Sequence, residues 1–176
     1  MCFPLLNGLF SDATLQSCPL EWVESSWGSS EVYNTKKSAF WRVIKRLSQN
    51  INKLDSDESW VSKLVWSNLY KIAPSEGGNP SDSLCGYQLD SCNELFKAEI
   101  VEYKPKCIVC FTGESWFKGF LLDNFSLIRK PEAKWVEASG TITINGFTTQ
   151  VIIAKHPQGK PEIELVNEIL DTLAEA

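Results

Sequence analysis

Three side chains suited to holding a polar ligand fall just after short apolar runs. His156, the one histidine of the chain, follows Val151-Ile152-Ile153-Ala154-Lys155. Asn68 closes Val65-Trp66-Ser67-Asn68, and Thr112-Gly113 follow Cys107–Phe111. If each run is a strand of an open α/β sheet, all three stand outside carboxyl ends, where such sheets take their ligands. A carboxamide donates and accepts at once, so Asn68 matches an imide edge. A fixed imidazole donor such as His156 stabilises negative charge developing on a leaving group in a dry pocket. Structural readings stand beside these. A lone histidine is more often structural than catalytic, and Asn68 equally suits a residue that ties two loops together.

The six cysteines offer a second candidate chemistry. Cys107 and Cys110 form a C-x-x-C, a spacing used by zinc and redox sites. Here it lies within an apolar run that reads as a strand, where residues three apart point to opposite faces. Cys85 and Cys92 share an apolar helical stripe with Leu89 and Phe96. These thiols read as small core hydrophobes, and no metal site is expected.

The elements that would position these residues follow from periodicity and breakers. Phe40, Val43, Ile44 and Leu47 hold helical spacing, which predicts an amphipathic helix from Ser38 to Leu47. Leu64–Leu69 reads as a short buried strand, and the stretch from Pro74 to Pro80 as a loop. A helix is predicted from Leu84 to Tyr103, ended by Pro105. After the strand Cys107–Phe111 comes a short helix with Trp116, Phe117, Phe120 and Leu121, then irregular chain over 123–134. Residues 141–151 alternate around Asn145-Gly146, a hairpin signal. The second arm runs on into the core strand that ends before His156. A last helix is predicted from Pro161 to Leu173, with Ile163, Val166, Leu170 and Leu173 as its apolar stripe. Strands separated by helices favour an α/β fold: three layers, α/β/α, around a short, mainly parallel sheet.

At 176 residues the chain suits one domain, with an irregular part over 1–37 and a core over 38–176. Its formal net charge of −5 argues against a protein that coats nucleic acid non-specifically. The charge is uneven, however. Lys36, Lys37, Arg42, Lys45, Arg46 and Lys53 fall between Glu31 and Asp55 with no carboxylate among them. That stretch reads either as an ordinary solvated face or as a phosphate-facing surface. Met1-Cys2-Phe3-Pro4-Leu5-Leu6 has no basic region and is too short for a signal peptide. No apolar run approaches membrane-spanning length, so the expectation is a cytoplasmic protein without a membrane partner.

Taken in order, these motifs resemble the uracil-DNA glycosylase superfamily over about Ser38 to Leu173. Ser38-Ala39-Phe40-Trp41-Arg42 is similar to the segment whose phenylalanine stacks on the flipped base. Asn68 is similar to the strand-end asparagine that reads the base's amide edge, and the loop from Pro74 to Pro80 to the one that follows it. Lys104 through Gly113 resembles the helix-to-strand passage with its terminal glycine. His156-Pro157 resembles the histidine-proline that opens the DNA-binding and leaving-group loop. The resemblance implies substrate-binding roles for Phe40 and Asn68, and stabilisation of the departing base by His156. It implies phosphate contacts from loop N–H groups and Lys160, and no cofactor. The partner would be single- or double-stranded DNA or a nucleobase held outside the stack. Phe40 equally fits a core stripe, and Lys160 equally an ordinary surface lysine.

The chain departs from this pattern at the family's first motif, a Gly-rich turn carrying the residue that positions the attacking water. Met1–Leu6 with Asn7-Gly8 is the only stub of it, and Asp12 the nearest carboxylate. The expectation is therefore divided. One reading is a DNA glycosylase. The other is a catalytically inactive relative that binds nucleic acid or serves as a protein-interaction module.

Overall fold

The computed structural model describes residues 18–56, 58–120 and 125–175. The candidate first motif at residues 1–12 lies outside them. The chain divides between Leu64 and Val65 into two compact units.

The N-terminal unit is helical. A short helix, α1 (Glu21–Ser25), precedes the amphipathic helix α2 (Ala39–Asn52). The Ser38 side chain caps α2, and Lys53 ends it in the left-handed region. Indole rings build much of this core: Trp22 and Trp60 lie 5.9 and 6.4 Å from Trp41, and Trp27 lies 6.0 Å from Trp60. Polar ties close it. The buried Ser48 hydroxyl donates to the Trp60 carbonyl at 2.8 Å, and Glu24 accepts from the Trp60 N–H at 3.1 Å.

The C-terminal unit is a mixed α/β structure around a four-stranded sheet of order β1-β4-β3-β2. Its elements are α3 (Asp82–Tyr103), β1 (Cys107–Cys110), α4 (Glu114–Phe117), β2 (Phe125–Arg129), β3 (Val136–Ile144), β4 (Phe147–Ala154) and α5 (Glu162–Ala174). Asn145 and Gly146, at φ 50° and 78°, make the tight turn that joins β3 to β4. Alternation sorts β4. Val151 and Ile153 pack with Cys92, Phe96 and Ile100 of α3. Ile152 and Ala154, also fully buried, point the other way. Gln150 shares that second face and donates to the Thr172 carbonyl of α5.

Several expectations are met closely. Helices near 38–47, 84–103 and 161–173 are present, as are the strand at 107 and the hairpin. Others are corrected. Only the β1–β4 pairing is parallel; β4–β3 and β3–β2 are antiparallel. The described sheet is therefore mixed, not mainly parallel, because the Asn145-Gly146 turn and a strand at Phe125–Arg129 add antiparallel partners on one side. That strand falls in the stretch read as irregular. Leu64–Leu69 is not a strand. Val65 and Trp66 are 58% and 46% exposed, so the short run is not buried as a central strand requires. The nearby Lys71 and Ile72 N–H groups bond to the Gln88 side chain, not to a ladder. In α5 the buried stripe is Leu165, Val166, Ile169 and Thr172, while Ile163 is 64% exposed.

Candidate functional site

The end of the sheet where β1 and β4 finish gathers several polar and charged side chains. Gly113 and Glu114 follow β1, Lys155 and His156 follow β4, and β3 begins there with Val136. Arg129 closes β2 at the same end. A β-bulge at the start of β3 shapes the site. Val136 pairs with Ala154 but Ala138 with Ile153, which makes Glu137 the extra residue. The Glu137 carboxylate reaches across to β1 and accepts from the Glu114 N–H at 2.7 Å. Gly113 has φ +71°, and a Cβ there would stand 3.2 Å from that carboxylate oxygen. The Gly113 N–H meanwhile bonds the Ala154 carbonyl at 3.0 Å, tying the two strand ends together. Glu114 in turn pairs with Arg129 at 2.5 Å.

His156 stands exposed at the start of a tight turn in which Pro157 is buried. Gly159 takes φ +72° and the Lys160 N–H returns to the Pro157 carbonyl at 3.0 Å. The Gln158 N–H donates to His156 Nδ1 at 3.2 Å. This bond assigns Nδ1 as the acceptor, so neutral His156 carries its proton on Nε2. Desolvation, then the positive charge of Lys160, lowers the His156 pKa below its ordinary value. The turn therefore presents a neutral imidazole with one N–H donor.

Beside it lies Trp135, the residue before β3. Its ring is approached by Lys134, Lys155 and Lys160, whose Nζ atoms lie 4.9, 5.9 and 5.8 Å from the ring centre. The backbone here is held from α5. Glu168 accepts from the N–H groups of Trp135 at 2.7 Å and Val136 at 2.6 Å, and from Lys134 at 3.3 Å.

Of the residues singled out in the sequence, His156 and Lys160 share one turn. Asn68 lies in the C-terminal unit but is exposed, on irregular chain. Its neighbours are tied to α3 through Ser67, Lys71 and Glu99, with the Lys71–Glu99 pair at 2.8 Å. Phe40 belongs to the N-terminal unit, where its ring lies 5.0 Å from Trp41 and packs against the aromatic cluster. Two of the basic groups near it are engaged locally. Arg42 donates to the Lys36 carbonyl at 2.7 Å, and Lys45 lies 4.7 Å from the Trp27 ring centre. Cys110 is buried in the core, with its pKa pushed up to about 12 by desolvation, while Cys107 lies on the other face of β1. Among the described residues no group of three potential metal ligands occurs.

Sequence reasoning missed Trp135, Glu137 and Lys155. The available signal was the pair Lys134-Trp135 just ahead of an alternating stretch, together with the lysine directly before His156. Compared with protein-family models, curated proteins and solved structures, the chain shows no match.

Proposed function

We propose that the protein binds a nucleic-acid strand at this end of the sheet and acts as a DNA glycosylase-like enzyme. It would hold uracil or a modified base and hydrolyse its N-glycosidic bond. The observation that carries the reading is His156, a neutral imidazole N–H donor just beyond the fully buried Val151–Ala154 end of β4, which runs parallel to β1. Glycosidic cleavage leaves negative charge on the departing base, and a positioned neutral N–H donor stabilises that charge once the bound base itself covers the exposed imidazole from water. The glycosylase-like three-layer arrangement, with Asn68 as a base-binding residue, belongs to the same proposal.

A second reading has its own support. Asn68 is exposed on irregular chain, and Phe40 is packed into the N-terminal core. A relative that retained strand binding but lost excision would carry these features. Incubation with a labelled single-stranded oligonucleotide containing uracil, followed by alkali, separates the two. Scission by the native protein that is lost in His156→Ala supports the enzyme. Scission unchanged in that variant removes His156 from the mechanism. Binding without scission, across a panel of modified bases, favours the non-catalytic relative.

A further inference from the structure

Trp135 and its lysines are not explained by stability. Like charges are costly to assemble, yet three ammonium groups converge on one ring in a chain of net charge −5. The ring's negative faces offset part of that cost. Among the described residues, one carboxylate stands within ion-pair reach of the three: Glu164, 3.7 Å from Lys134 Nζ. Apart from the Trp135 ring, Lys155 Nζ is met among the described residues by a neutral acceptor, the Lys134 carbonyl at 3.0 Å. Lys160 has no carboxylate partner among the described residues. The Trp135 indole Nε1 is buried and has no hydrogen-bond partner there either. A surplus of positive charge, an unused donor and a flat aromatic surface thus meet beside the His156 turn.

We infer that Trp135, Lys134, Lys155 and Lys160 form a docking site for the phosphates of a single-stranded nucleic acid. The three cations supply contacts to phosphodiesters. The indole holds them near one another, and when a lysine swings from the ring to a phosphate the face it leaves is open to a base of the same strand, the combination that sequence-tolerant single-strand sites use. This inference rests on the proposed function for the kind of partner, but it does not require that any glycosidic bond be cut.

The test uses the full chain and a fluorescent single-stranded oligothymidylate, which contains no uracil, so binding is read apart from excision. Anisotropy titrations over a range of salt should give a log–log slope of about −2, the value for three phosphate contacts on a single strand. Between about 50 and 200 mM salt the affinity should fall roughly twentyfold. Each of Lys134→Ala, Lys155→Ala and Lys160→Ala should reduce the slope by about 0.7. The triple variant should lose salt-dependent binding, while Lys36→Ala with Lys37→Ala in the other unit should not. Trp135→Leu should weaken binding about fivefold or more, and Trp135→Phe should restore most of it.

Binding unaltered by the triple variant would overturn the inference, as would absence of binding by the native protein at low salt. Displacement by polyglutamate as effectively as by oligothymidylate would overturn the nucleic-acid assignment, since that polymer supplies charge without bases. Displacement by inorganic pyrophosphate at equal phosphate concentration would overturn the strand assignment in favour of a free inorganic phosphate or diphosphate. Lysine-dependent binding without excision of any base would leave the site in place and sink only the glycosylase reading.

Discussion

Glu168 is the residue whose loss should most directly disturb the candidate site without removing a side chain that would face its ligand. Its carboxylate accepts from the Trp135 and Val136 N–H groups at 2.7 and 2.6 Å, with a longer contact to Lys134. Val136 is fully buried, so in Glu168→Ala its N–H loses its acceptor where water cannot readily replace it. Two short charge-assisted bonds at roughly 1.5–3 kcal/mol each give an upper bound of about 3–6 kcal/mol. Glu168 is only half-buried, and water can reach the Lys134 end. The expected loss is therefore about 2–4 kcal/mol. With a urea dependence of about 2 kcal/mol per molar, the midpoint should fall by roughly 1–2 M. Glu168→Gln keeps an oxygen acceptor and should lose about half as much. Hydrogen exchange supplies the local reading: amides 135 and 136 should lose protection before those of β4. A loss under about 0.5 kcal/mol, with protection at 135 and 136 unchanged, would refute the view that α5 anchors the start of β3 through this carboxylate.

Three further predictions concern other links of the chain. A Cβ at Gly140 would stand 1.8 Å from the Ser126 carbonyl oxygen, a backbone atom that cannot swing aside. Gly140→Ala should cost about 3 kcal/mol, the upper end of overpacking penalties, in urea unfolding; a change below about 1 kcal/mol would contradict the β2–β3 register. Because His156 is the sole histidine, its ring resonance can be followed without ambiguity in a pH titration by NMR. Its midpoint should lie below 6.5 and rise in Lys160→Ala. A depressed histidine pKa means the unfolded chain binds more protons, so this group's contribution is intact above pH 6.5 and is lost as pH falls toward the folded value. A midpoint at or above 6.5 would remove the neutral-donor argument. Finally, Cys110, held as a thiol up to about pH 12, should resist thiol reagents at pH 8 until the protein unfolds, and rapid labelling of it under native conditions would contradict its burial.

What could be read from the residues follows the strength of local signals. Helix α3 was legible to within two residues: the reading from Leu84 to Tyr103 began just inside the Ser81-capped start at Asp82, and Pro105 marked its left-handed end at Lys104. The β3–β4 hairpin was legible because Asn145-Gly146 is a turn that few other structures use. The run Leu64–Leu69 misled because six residues cannot distinguish a strand from extended chain at a unit boundary. The strand Phe125–Arg129 was hidden by the opposite problem. As an edge strand it is half-solvated, and Ile128 is 65% exposed, so its pattern carries little contrast. In the site, His156 was visible through rarity and position. Glu137 was not, because a bulge has no sequence period. Trp135 was not, because one aromatic among seven Trp gives no hint that lysines from two other places in the chain will surround it.

The charge distribution brings these features into one physical picture. A strand approaching a molecule of net charge −5 is repelled at long range, yet at physiological ionic strength that repulsion fades beyond about 8 Å. The acids of α5 illustrate the balance. Glu168 is consumed by backbone N–H groups and Glu164 leans only toward Lys134, whereas Lys155 and Lys160 keep their charge for contacts at close range. Attraction would therefore begin only once phosphates reach the Trp135 lysines. A protein arranged this way gains little from diffusional steering and holds its ligand by local contacts. Raising salt should accordingly act through loss of those contacts, with weak effects on encounter rate. That pattern differs from the one expected of a broadly basic nucleic-acid coat, and it is the pattern a site selecting one exposed strand would need.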